Sequence, residues 1–131
     1  MTKSTQFSVA LDNKPGALAK LCATLKRAKA NLYGISVSEN VDGGWVRIVT
    51  DAPGATRSAL KERGYHFNTH QVLILRPVNR AGELEKISRT LSKAGVNINY
   101  VYGTSGIASS STLILSVSDL AKAERLLAKG W

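Results

Sequence analysis

The residues of this 131-residue chain whose types and spacing could do chemistry lie in one short segment that occurs twice. Asp12-Asn13-Lys14-Pro15-Gly16-Ala17-Leu18 and Val78-Asn79-Arg80-Ala81-Gly82-Glu83-Leu84 each join a β-forming run to a run of helical spacing. A helix N-terminus offers unpaired N–H groups and a partial positive charge, so it can hold a small anion. Gly16 and Gly82 have no side chain to keep a ligand off that backbone. Asp12 and Asn13 in one copy, Asn79 and Arg80 in the other, supply partners for an ammonium or a carboxylate, and Lys14 and Arg80 place a cation beside each helix start. Such a loop suits a zwitterion. Asp-x-x-Pro-Gly is equally an ordinary turn and helix-start signature, so the residues alone leave both readings open.

The remaining reactive side chains make weaker cases. His66 and His70 fall in a strand-like stretch, where four residues separate them by about 13 Å, too far for one metal ion. Cys22 follows Leu21 on a helical run with no histidine near it, which predicts a buried, inert thiol. One cysteine excludes an internal disulfide framework. No Ser/His/Asp grouping stands out, and Ser109–Ser111 reads as a hairpin turn. Tyr33, Tyr100 and Tyr102 fall in strands, where half-buried tyrosines are common.

The elements that carry these loops follow from an internal repeat. A shift of 66 residues aligns positions 13–31 with 79–97, eight of nineteen identical, where chance gives about one. The register is expected to run on without a gap to Ile48/Ile114, Leu60/Leu126 and Gly64/Gly130. Phe7–Leu11 and Val72–Pro77 read as strands. Leu18, Leu21, Leu25 and Ala28, then Leu84, Ile87, Leu91 and Ala94, recur at helical spacing, leaving Lys20, Lys26, Arg27 and Lys29 to water. Asp12 or Asn13 is expected to cap the first helix with Pro15 in its first turn, and Asn31 and Asn97 to stop each helix or touch ligand. Period-two hairpins follow, Leu32–Glu39 with Trp45–Asp51 through a Val41–Gly44 turn, and Ile98–Thr104 with Thr112–Ser118. Shorter helices come next, Pro53–Arg63 and Asp119–Lys129, with Gly64 and Gly130 as stops, and Tyr65–His70 closes the first copy as a strand.

The fold class expected is therefore α+β: two ferredoxin-like βαββαβ repeats, 1–70 and 71–131, antiparallel sheets with helices on one face. The second repeat lacks its last strand. The Val72–Pro77 strand should then keep an open edge or be covered by another segment or chain.

Asp12-Asn-Lys-Pro-Gly-Ala-Leu18, Leu21, Leu25 and Ala30-Asn-Leu32 ahead of a hairpin, repeated as Asn79-Arg-Ala-Gly-Glu-Leu84 and Val96-Asn-Ile98, resemble an ACT domain. The resemblance covers nearly the whole chain, as a tandem pair with no enzyme domain attached. It implies a regulatory module that binds an amino acid where two such domains pack side by side, and a homodimer. It further implies ligand-contacting roles for Asp12, Asn13, Lys14, Pro15, Gly16, Ala17, Leu18, Asn31 and Leu32, and for Asn79, Arg80, Gly82, Glu83, Leu84, Asn97 and Ile98. The second copy departs from the first, with Val78 for Asp12, Ala81 for Pro15 and an added Glu83, so its loop binds a different group or nothing.

Composition narrows the alternatives. The net charge of +9 with 44% hydrophobic residues is a globular balance, and no apolar run reaches the roughly 18–20 residues of a membrane span. The N-terminus has no signal-peptide core, which points to the cytoplasm. Ten cations and five acids fall in residues 1–66, eight and four in 67–131, so the charge is shared by both copies. A nucleic-acid-binding module of the same topology would carry stacking aromatics on its central strands. Here Trp45-Val-Arg-Ile-Val-Thr50 and Thr112-Leu-Ile-Leu-Ser116 have no such motif. A phosphate hydrolase of this topology would rest on Arg80 with no base beside it. The reading is a binding protein without catalytic activity or cofactor, with an amino acid ligand and a metabolic enzyme as partner.

Overall fold

The computed structural model describes residues 1–38, 44–105 and 111–131. The Val41–Gly44 turn (apart from Gly44) and Ser109 and Ser110 of the second turn lie outside the described residues. The elements run β1 (Thr2–Leu11), α1 (Ala17–Arg27), β2 (Leu32–Ser38), β3 (Gly44–Thr50), α2 (Pro53–Glu62), β4 (Phe67–Leu75), α3 (Glu83–Lys93), β5 (Ile98–Ser105), β6 (Ser111–Val117) and α4 (Leu120–Leu127). This is the α+β, ferredoxin-like repeat. Two compact units result, one of Thr5–His70 and one of Met1–Ser4 with Gln71–Trp131.

In the unit of Thr5–His70 the strand order is β2-β3-β1-β4. Phe7 pairs with Ile48 and Val9 with Val46 in antiparallel register, so the four side chains share one face. Leu21 and Leu25 of α1 and Leu60 of α2 close over that face, and all seven residues form one buried cluster. The helical spacing of Leu21 and Leu25 is what turns α1 toward the sheet.

The other unit repeats the plan. Leu73 and Leu75 of β4, Leu115 of β6, Ile87 and Leu91 of α3 and Ala123 and Leu127 of α4 form its core. Its strand order is β1-β4-β6-β5, and only Met1–Ser4 of β1 belongs to it. The chain's own first residues thus stand where the fourth strand of a complete repeat would. The Val72–Pro77 edge is covered by another segment of the same chain.

Several expectations are corrected. Tyr65–His70 and Val72–Pro77 are one continuous strand, Phe67–Leu75, because nothing between them turns the chain. β1 starts at Thr2 and not Phe7, since Thr2–Ser4 have a strand partner that their polar side chains do not advertise. The repeat register slips by one after the first hairpin. Leu73 pairs with Leu115 as Phe7 pairs with Ile48, and Leu127 is buried while Leu126 is exposed. The true equivalents are therefore Ile48/Leu115 and Leu60/Leu127, and the second hairpin is one residue longer.

Helix ends are corrected too. Neither Asp12 nor Asn13 caps α1. Gly16 is the N-cap, at φ 88, with no side-chain cap, and Pro15 precedes the helix. Asn31 and Asn97 are not left-handed stops, because that conformation falls two residues earlier, at Lys29 (φ 55) and Gly95 (φ 73). Gly64 ends α2 at φ 75, whereas Gly130 keeps a negative φ beyond α4. Cys22 is exposed, since the core-facing stripe of α1 is Leu21, Thr24 and Leu25, and Cys22 lies about 100° round the helix from Leu21.

Candidate functional site

The two loops are built hydrogen bond for hydrogen bond alike. In the first, Lys14 N–H donates to the Asp12 carbonyl (3.0 Å), Ala17 N–H to Lys14 (3.3 Å) and Lys20 N–H to Gly16 (3.0 Å). In the second, Arg80 N–H donates to Val78 (3.0 Å), Glu83 N–H to Arg80 (3.4 Å) and Lys86 N–H to Gly82 (3.0 Å). Gly16 and Gly82 both sit at left-handed φ, 88 and 91, and a Cβ built on either would meet nothing within 4 Å. Glycine is therefore required here by backbone conformation. In each loop the helix's first i−4 bond comes from Lys20 or Lys86, which leaves the N–H groups of Leu18 and Ala19, or Leu84 and Glu85, ahead of it.

Beside the first loop, toward the β2 edge, lies a cavity of about 440 Å³ lined by Asp12, Asn13, Lys14, Leu18, Val37 and Ser38, among others. Asp12 and Lys14 stand 3.7 Å apart across mostly exposed side chains, a pair that solvent screens and a bound zwitterion can rearrange at little cost. The matching cavity in the other unit is about 200 Å³. It is lined by Asn79, Arg80, Glu83, Leu84, Gly103 and Thr104, among others. Gly103 replaces Val37, and a Cβ there would run into the Thr112 carbonyl and Leu113. The strands approach too closely at that point for any other residue.

Glu83 is committed internally. Its Oε1 accepts from Arg80 Nε (2.6 Å) and its Oε2 from Trp131 Nε1 (3.3 Å), and the residue is 8% exposed. The Arg80 guanidinium, then the Trp131 indole N–H, hold its carboxyl below the usual carboxylate value. A carboxylate so paired is a structural group.

Asn31 and Leu32 do not join the loop of their own unit. β1 and β2 both pair antiparallel with β3 and so run parallel, which puts Leu11 and Ser38 at one end and Leu32 at the other. The separation along β2 is about 20 Å. Asn31 instead clamps the far end of the hairpin: its N–H donates to Asp51 Oδ1 (2.8 Å), its Nδ2 to Oδ2 (3.3 Å), and Asp51 N–H returns to the Asn31 carbonyl (3.0 Å). Asn97 does the same with Ser118, at 2.9 Å in both directions, and Ile98 starts β5 beside it. Ala17 lines a second and larger cleft and not this cavity, whereas its counterpart Glu83 lines the loop cavity of its own unit; Pro15 and Gly16 line neither cavity of theirs.

What residue reading missed is the strand edge itself. β2 ends the sheet of its unit, and Leu32 (41%), Ile35 and Val37 (58%) are exposed along it. Ile35 and Val37 pair with the core residues Ile48 and Val46, so they point to the helix-bearing face, but α1 and α2 do not reach them. The sequence signal was an apolar alternation with no helix positioned to cover it. Among the described residues no group of three or more His, Cys, Asp or Glu could hold a metal, and no helix is long and apolar enough to cross a membrane.

Comparison with known proteins fits this geometry. A family model described as an ACT domain pair matches residues 1–128. A protein of Bacteroides thetaiotaomicron has a similar structure with TM-score 0.90 and 28% identity, over 97% of this chain and 88% of that one. The ligand-free regulatory subunit of aspartate kinase from Thermus thermophilus matches with TM-score 0.69 and 13% identity, over 98% and 92%. E. coli aspartokinase III, in complex with lysine and aspartate, matches with TM-score 0.63 and 18% identity, over 97% of this chain and 30% of that one. No curated protein matches the sequence.

Proposed function

The chain belongs to the ACT domain pair family, and from that membership we propose that it is a small-molecule-binding regulatory protein of the cytoplasm. It senses an amino acid and modulates a metabolic enzyme or pathway. It binds its ligand and does not turn it over. The observation that carries this reading is the cavity between the Asp12–Leu18 loop and the open edge of β2. Asp12 offers a carboxylate to the ligand's ammonium. Lys14 and the N–H groups of Leu18 and Ala19 offer a cation and a helix dipole to its carboxylate. Leu18 and Val37 give the side chain an apolar wall. E. coli aspartokinase III, of which the matched part is 30% of the chain, was solved in complex with lysine and aspartate, and an amino acid ligand here is in keeping with that.

The position of Asn31 supports a homodimer. Antiparallel pairing of β2 with β2 of a second copy brings the Leu32 end of one strand to the Ser38 end of the other. Asn31 and Leu32 of one copy then meet the Asp12–Leu18 loop of its partner, and the exposed Ile35 and Val37 are covered. Ligand wedged there favours the packing it fits, which is sufficient for regulation. The second unit's loop, half as roomy and with Glu83 already paired, is the weaker binder.

A thermal-shift and calorimetric screen of the twenty amino acids, run beside light scattering, tests this. One or a few amino acids should bind saturably, and Val37→Asp should lose dimer and binding together. A monomer that binds no amino acid, or salt-sensitive oligonucleotide binding instead, would overturn the reading.

A further inference from the structure

The two units are copies of one plan, so a group present in one and absent from the other marks what the second has room for. In the second unit, the first residue of α3 is Glu83, and its carboxylate is held by Arg80 from the loop and by Trp131 from beyond α4. Lys86, one turn along α3, adds attraction. Trp131 packs against its unit's core as Tyr65 packs against the other. In the first unit the cations have counterparts, Lys14 for Arg80 and Lys20 for Lys86; the corrected register sets Gly64 opposite Trp131, and the aromatic ring there comes from the next residue, Tyr65, with a phenolic O–H. The carboxylate has no counterpart. Its position is Ala17.

The place is a cleft. Lys14, Ala17, Lys20 and Tyr65 line a hollow of about 730 Å³ between α1 and the α2–β4 connection, on the opposite side of α1 from the amino acid cavity. Arg27 and Arg63 line it as well, so four Lys and Arg side chains stand against one acid, Asp12. A concave site lined by one sign of charge raises the local concentration of the opposite ion. Its volume is within the range of small-molecule pockets.

We propose that this cleft is a second ligand site, which takes a small di- or tricarboxylate anion with one carboxylate where Glu83 places its own in the other unit. The remaining carboxylates reach Arg27 and Arg63. The site is separate from the amino acid cavity, and a polycarboxylate with no ammonium has nothing to offer Asp12 there. Asp12 and Lys14 border both hollows, so occupancy of one bears on the charge balance of the other.

Citrate is the probe, titrated calorimetrically into the whole chain against sodium chloride of matched ionic strength. Saturable citrate binding at one site per chain is expected. Ala17→Glu, which rebuilds the internal carboxylate at a helix start where an acid is favoured, should weaken citrate at least tenfold and raise Tm. Ala17→Gln, of the same size without the charge, should weaken it less. The Lys14→Ala/Lys20→Ala double variant should lose citrate at least tenfold through a different change. The proposal fails if citrate gives no binding beyond the matched salt, if Ala17→Glu binds it as wild type does, or if Gln blocks as well as Glu.

Discussion

Lys29 and Gly95 occupy the same place in the two repeats, and the difference between them has a calculable stability. Each ends a helix the same way. Ala30 N–H reaches back to Leu25 (3.0 Å) and Lys29 N–H to Lys26 (3.0 Å), while Val96 N–H reaches Leu91 (2.9 Å) and Gly95 N–H Ser92 (3.0 Å). The residue in the left-handed conformation is glycine in one case and lysine in the other, at φ 73 and 55. A Cβ in that conformation costs roughly 1–2 kcal/mol, and glycine's extra freedom in the unfolded chain returns about 0.5–1 of it. Lys29→Gly should therefore stabilise by about 0.8 kcal/mol, which for a chain of this size raises Tm by about 3 °C. Lys29→Ala keeps the strained backbone and should change stability by no more than about 0.5 kcal/mol. Gly95→Ala should lose about 1 kcal/mol. Thermal and urea unfolding measure all three. A neutral or destabilising Lys29→Gly, or a Lys29→Ala that stabilises equally, would show that backbone strain is not what distinguishes the two ends.

Glu83 has a carboxyl held below 4.5, so its pairing contributes stability above pH 4.5 that is lost as pH falls through the depressed value. Glu83→Gln should flatten the stability–pH curve of acid unfolding in that window while keeping the Trp131 acceptor. Gly103→Ala forces a Cβ onto the Thr112 carbonyl and should cost about 1–3 kcal/mol or more, read by urea denaturation. Thr56→Val breaks the buried bond between the Thr50 and Thr56 hydroxyls (2.8 Å) and should cost about 1–3 kcal/mol in the same assay. Leu91→Ala, at a fully buried position of the second core, should cost about 2–5 kcal/mol, and a loss under 1 kcal/mol would mean the core collapses around the gap.

The repeat made the fold legible, because helical spacing at Leu21, Leu25, Ile87 and Leu91 and alternation in the strands are both consequences of burying one face. What escaped was set by contacts distant in sequence or by backbone shape. Thr2–Ser4 are polar, and only a neighbouring strand makes them one. A lysine gives no sign that it takes a left-handed φ, so Asn31 looked like the stop that Lys29 is. The slip in register had to come from pairing, since Leu126 and Leu127 are the same residue type and only one faces the core. Of the site, the loop was readable because Gly16 and Gly82 mark it. The distance of Asn31 from that loop was not, because it follows from β1 and β2 running parallel.

The borrowed strand at the start of the chain has a kinetic consequence. Residues 5–70 form one compact unit of continuous sequence, so this unit can nucleate without a distant segment. The other must bring Met1–Ser4 to a partner strand some seventy residues away, and closing so large a loop is repaid only once the rest of its core exists. Folding should proceed in that order, the seam beside β1 forming last. The same seam should open first in hydrogen exchange, and a fragment of residues 71–131 alone should expose an unsatisfied β4 edge to whatever strand arrives.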